Sequence, residues 1–166
     1  SGVAMIEQIG NGKGSVTLGN GATYLGASLA TAIGPAPFID SIAAGLPGAD
    51  PVEVALCFAA IDNGGVPVLD PAKVAGKIVL CDRGVSARVN KSLAVQQAGG
   101  VGSVLANTSP NSINADFHVI PTVHVSDVDR AALKAYAATP GATATINASQ
   151  LVFDEPAPFT AAFSSR

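Results

Sequence analysis

Cys81, His118 and His124 are the residues of this 166-residue chain best suited to nucleophilic or metal chemistry. A catalytic Cys81 needs a base, and these two histidines are the only ones in the chain. Cys81 closes the apolar run Lys77-Ile78-Val79-Leu80-Cys81, where burial raises a thiol's pKa and suppresses attack, so a structural cysteine is expected. As metal ligands the histidines fare no better. Six positions on an extended segment place them roughly 20 Å apart, too far to share an ion. Asp116 with His118 is a closer pair, but two ligands do not make a site, and a solvated strand end is the plainer reading.

The stretch Gly76-Lys77-Ile78-Val79-Leu80-Cys81-Asp82-Arg83-Gly84 also contains a Gly-Lys pair. A phosphate loop needs an earlier glycine and a Ser or Thr after the lysine, to cradle phosphate and hold magnesium; neither is present. Ala98-Gly99-Gly100-Val101-Gly102-Ser103 has glycines spaced like a dinucleotide fingerprint, but these close a helix and open a strand, the reverse of the required order. No Gly-x-Ser-x-Gly elbow exists, and Ser164-Ser165 have no determined partner elements. No cofactor and no metal site is expected. Cys57 and Cys81 permit one disulfide; its loop of about 25 residues would contribute about 3–4 kcal/mol. Two buried thiols acting as small hydrophobes are the alternative. Five of the nine basic residues fall between Lys73 and Lys91. A docking patch is one reading; the plainer one gives Arg88 and Lys91 to the polar face of a short helix. Asn90, Asn107 and Asn147 open Asn-x-Ser/Thr triplets, which matter only in a glycosylating host.

Composition bounds what these residues can serve. Hydrophobic residues make up 48% of the chain, charged residues 13%, with a formal net charge of −3 and no Trp. That composition supports a globular core and argues against a basic or aromatic nucleic-acid surface. No run approaches the ~18–20 apolar residues of a membrane-spanning helix. The first residues lack the flank, core and cleavage site of a signal peptide, so the chain is expected to be soluble and an excised fragment. The Ala, Gly, Ser, Thr and Val content resembles that of secreted proteins.

The elements that must hold these residues can be read in order. Ser15–Leu18 and Ala22–Leu29 read as a hairpin bending at Asn20-Gly21. Residues 31–51 carry Pro35, Pro37, Pro47 and Pro51 and read as a linker or irregular wrap. Lys77–Cys81 reads as a strand buried on both faces. Ser86 can cap a helix over 87–98 with Val89 and Leu93 on one side, and Gly99-Gly100 ends it. With the apolar strand 101–107 this makes a β-α-β unit with parallel pairing. An extended piece broken at Pro121 follows. Ser126 then caps a second helix with Leu133 and Tyr136 inward, and 142–147 reads as an edge strand. The expected class is mixed α/β.

Leu69–Gly84, then Val89–Asn107, then Asp116–Ser126, together resemble the protease-associated (PA) domain as inserted in subtilisin-like serine peptidases. The resemblance covers about residues 52–148. Ser15–Leu29 and Ala157–Arg166 resemble the subtilase segments on either side of such an insertion. It therefore implies four parts: 1–30 as a host stub, 31–51 as linker, 52–148 as the PA domain, and 149–166 as the return to the host. It implies a swivelling β/β/α fold with parallel and antiparallel sheets and two flanking helices. Subtilase catalytic motifs fall outside the chain, so the fragment is expected to be inert within a secreted parent protease. The implied role is binding protein or peptide substrate, or controlling access to the active site. The alternative is a structural, dimerisation or maturation role, with the catalytic domain of the same protease or a second copy as partner. Asp82, Arg83 and Gly84, at the C-terminal end of a strand, form the candidate surface together with Ser109, Asn111 and Asp116.

Overall fold

The computed structural model describes residues 12–151. The expectations for residues 1–11, for Ser164-Ser165 and for most of the return segment lie outside the described residues. Eight strands are described: β1 (Gly12–Leu18), β2 (Thr23–Ala27), β3 (Ile33–Asp40), β4 (Ile78–Asp82), β5 (Gly102–Ala106), β6 (Thr122–Val125), β7 (Thr143–Ile146) and β8 (Gln150–Leu151). Four α-helices accompany them: α1 (Pro51–Ala55), α2 (Pro71–Val74), α3 (Arg88–Gln97) and α4 (Arg130–Ala137).

The strands run in the order β2-β6-β5-β4-β3-β7-β1, and β1 pairs back onto β2, which closes a seven-stranded barrel. β8 follows β7 along the same side of β1. Pairing is parallel from β3 through β4 and β5 to β6, and antiparallel elsewhere. The expected parallel and antiparallel sheets are thus two arcs of one barrel. Closure also corrects the edge assignment for 142–147, because β7 has β3 on one side and β1 on the other.

Alternation sorts the side chains into two cores. Val16, Phe38, Ile78, Leu80, Val104, Val123 and Ile146 fill the barrel. Val79, Cys81 and Leu105 point outward from the parallel arc into a second cluster with Val54, Val74, Ala94 and Val95. The outer cluster exists because the crossover helix α3 and the segments carrying α1 and α2 cover that face, as parallel strands require. Helix α4 lies across one end of the barrel, with Leu133 reaching the inner core and Tyr136 stacked on Phe38 at 6.4 Å between ring centroids.

Several local expectations change. Residues 33–40, expected to be irregular, form β3. Its prolines precede Phe38, where pairing with β4 begins, so on that side no ladder donor is lost. β1, β2 and β3 are integral to the barrel although all precede residue 52. Helix α3 begins at Arg88 with Ala87 as its N-cap and no capping side chain; the Ser86 hydroxyl instead accepts a hydrogen bond from Lys91. Ser126 precedes a short 3-10 turn, Asp127–Asp129, and makes no side-chain cap. Lys91, read as surface, is wholly buried, because the inward face of α3 is Lys91, Ser92, Ala94 and Val95, continued by Ala98 at its C-cap, while Val89 remains exposed.

Candidate functional site

The C-terminal ends of the parallel strands converge on one rim, where Asp82, the last residue of β4, and Arg83, directly after it, point in opposite directions. Leu80 points into the barrel and Cys81 outward, so Asp82 continues on the inner side and Arg83 on the outer. The Asp82 carboxylate, 7% exposed, accepts two bonds from Arg130 of α4 at 2.8 and 2.9 Å, with Lys134 at 3.7 Å. Lys134 also bonds Asp40 at the end of β3, at 2.8 Å. The carboxylate beside it holds the Arg130 pKa above its usual value. Asp82 thus fastens α4 over the barrel end.

Arg83 enters a shallow hollow shared with Ala87, Arg88, Val89 and Asp116. Its backbone N–H donates to Ala106, its guanidinium to the Gly84 carbonyl, and it has no ion-pair partner among the described residues. Gly84 packs beside Leu56: a β-carbon there would lie 2.5 Å from the tip of that leucine side chain. Arg88 pairs with Asp116 at 2.5 Å, and that hydrogen bond holds the Asp116 carboxyl below the usual carboxylate range. Val85 and Phe117, each 87% exposed, stand on the surrounding surface.

The structure therefore brings Arg83 and Asp116 together, turns Asp82 away, and leaves Ser109 and Asn111 on the exposed part of the 107–121 loop. The Asn111 carbonyl, with that of Ser112, accepts from the Asn107 amide at 3.1 and 3.0 Å. Phe117 and Val85 are the exposed residues that the sequence reading passed over; Arg88 it gave to the polar face of a helix rather than to this surface. Val85 directly follows Asp82-Arg83-Gly84, and Phe117 directly follows Asp116, so adjacency was the available signal.

Behind the rim, Lys91 donates to the Leu56 carbonyl at 2.7 Å and to Ser86 at 3.0 Å. Burial, reinforced by Arg83, pushes its pKa down to about 8. Cys57 and Cys81 are joined in a disulfide beside this lysine, so no thiol is available for catalysis. His124 is buried under the 107–121 loop and His118 packs on Ser92; no group of three or more metal-ligating residues occurs among the described residues. Of the three Asn-x-Ser/Thr triplets, Asn107 is 2% exposed with its amide engaged, Asn147 bonds Ser15 and Thr17, and Asn90 bonds Asp62.

Comparison with known proteins agrees with this architecture. The PA domain family matches residues 43–133, more than half of the chain. Subtilisin-like protease SBT1.7 of Arabidopsis thaliana is 46% identical over 102 residues, covering 59% of this chain and 14% of that protein. SBT5.3 of the same plant is 35% identical over 161 residues, covering 92% and 20%. The chain thus spans a fifth or less of these relatives. Among solved structures, the zinc aminopeptidase BSAP from Bacillus subtilis matches with a TM-score of 0.53 at 15% identity, over 89% of this chain and 35% of that one. The psychrophilic subtilisin-like protease Apa1 from Pseudoalteromonas sp. AS-11 matches with a TM-score of 0.50 at 18% identity, over 88% and 35%. At such identities these two matches speak for the fold alone. The barrel, its crossover helix and the sequence matches agree: the chain belongs to the PA domain family, in the form that resembles the PA region of subtilisin-like proteases.

Proposed function

We propose that this chain is the non-catalytic PA domain of a secreted subtilisin-like serine endopeptidase and that its rim engages protein substrates, recruiting them or governing their access to the catalytic domain. The observation that carries this reading is Arg83, which lacks an ion-pair partner among the described residues and lies in a hollow beside Arg88 and exposed Val89, with exposed Val85 two residues on and exposed Phe117 next to Asp116 of the same hollow. A guanidinium flanked by apolar side chains suits an extended peptide with a carboxylate or carbonyl to offer and one or two apolar side chains. The candidate set narrows to Arg83 and Asp116 with Arg88 and Phe117. Asp82 and Gly84 serve as its support.

The test uses the full-length parent protease. kcat/KM for a folded protein substrate should fall about tenfold in Arg83→Ala and Phe117→Ser, a typical loss for one good interface side chain. Cleavage of a short chromogenic peptide should be unchanged. Equal loss on both substrates, or on neither, overturns the recognition surface.

One observation favours a structural role elsewhere on the molecule. Leu46, Phe58, Pro67, Leu69 and Pro71 line an apolar hollow, and Ile61 and Val66 are exposed at 75% and 59%. This face suits packing against the catalytic domain or a second copy. A parent enzyme that sediments as a monomer at all concentrations rules out the second copy.

A further inference from the structure

The 107–121 loop covers the outer face of β6, and its polar anchors form a connected set. On β6, Val123 and Val125 point into the barrel, so His124 points out beneath the loop at 1% exposure. The Asn107 amide nitrogen donates to the carbonyls of Asn111 and Ser112, which turns its oxygen towards His124 Nε2 at 2.7 Å. That oxygen can only accept, so Nε2 carries the proton. His124 Nδ1 in turn lies 2.9 Å from the backbone N–H of Asn114, which can only donate. The loop is therefore closed over one tautomer of a neutral imidazole. A second proton, placed on Nδ1, would face the Asn114 N–H head-on and break the bond.

His118, the other histidine on this segment, behaves differently. Ser92 commits its hydroxyl proton to the Val89 carbonyl at 2.9 Å, so His118 Nδ1–H donates to the Ser92 oxygen at 2.7 Å. A doubly protonated ring keeps that bond. Only the His124 contact is incompatible with charging.

We infer that His124 is a proton-operated latch: acidification breaks its bond to Asn114, frees the 107–121 loop and loosens Asp116 from Arg88 at the recognition rim. The inference rests on the rim reading given above, and it adds regulation to that site. The surroundings of His124 oppose its charging. Burial, with Arg88 of α3 and Arg83 after β4, pushes its pKa down to about 4, against the weaker favourable effect of Asp116 on the loop. Facing it, Leu105 of β5, Ala27 of β2 and Asn107 just after β5 are uncharged. His118 on the loop is likewise held low by burial.

The sign follows from linkage. The closed loop binds the second proton more weakly than the open one, whose histidine titrates near 6.5, so closure is favoured above about 6.5 and is lost progressively towards about 4. Amide exchange of Asn114 in the full-length chain, corrected for the intrinsic pH dependence of exchange, reads the latch directly. Its protection should fall roughly twentyfold between about pH 7 and about pH 5. In His124→Gln, which cannot titrate at that position, most of the fall should vanish, whereas in His118→Gln most of it should persist. Constant protection in the unaltered chain, or a fall abolished by His118→Gln but not by His124→Gln, overturns the latch. If protection falls as expected while the ratio of protein to peptide cleavage stays flat with pH, the latch stands and the recognition reading fails.

Discussion

Every residue of β4, β5 and β6 is buried, whereas β1 and β2 bury roughly alternate residues and expose side chains such as Leu25, at 76%. The two arcs share one inner core, so the difference lies outside the barrel. The parallel arc carries α3, the disulfide and Lys91 on its back; the outer face of the antiparallel arc carries alternating, partly solvated side chains. Parallel pairing demands crossovers, crossovers cover a face, and the loops joining them gather at the strands' C-terminal ends. The arc that needs the covering layer is therefore also the one that supplies Arg83, Arg88 and the 107–121 loop.

That contrast can be broken in decreasing steps. Leu80→Ala, inside the barrel on the parallel arc, should cost about 2–5 kcal/mol, whereas Leu25→Ala should stay within about 0.5 kcal/mol in chemical denaturation. Comparable losses would mean that the antiparallel arc is covered in solution. Replacing Cys57 and Cys81 together by Ser should cost about 2–4 kcal/mol, and hydrogen exchange should rise first in the outer layer around α1 and α3 rather than in β1 and β2. The mildest test concerns Lys91. Its folded pKa lies near 8, below the unfolded value of 10.5, so the folded state releases the proton first and stability rises between those pH values. The gain should reach at most roughly 3 kcal/mol and should disappear in Lys91→Met. This trend is confined to alkaline pH and is separate from the acid release of His124.

Legibility in the sequence followed the range of the interactions. The β4-α3-β5 unit could be read because each boundary has a local cause: the apolar run of β4, the Gly99-Gly100 stop and the apolar run of β5. The hairpin was equally local, with Gly21 in the left-handed conformation its turn requires. What escaped was non-local. β3 is drawn into the wall by β4 and β7, from distant parts of the chain, and nothing near Pro35 and Pro37 announces it. Closure of β1 onto β2 and β7 likewise leaves no local trace. At the rim, the position of Asp82-Arg83-Gly84 at a strand end was legible, but the opposite fates of Asp82 and Arg83 depend on where α4 lies. Lys91 was misread because a lysine on a short helix is normally solvated; the apolar positions three, four and seven residues on were the countersign.

Gly12 and Leu151 are direct partners in the β1–β8 ladder, which has a consequence for joining this module to other chains. Facing residues in an antiparallel pair sit about 5 Å apart. A scaffold continued from both positions would experience the folded module as a very tight loop, and the entropy of bringing its ends together would be met by the module's own folding. Such a graft needs only two neighbouring attachment points.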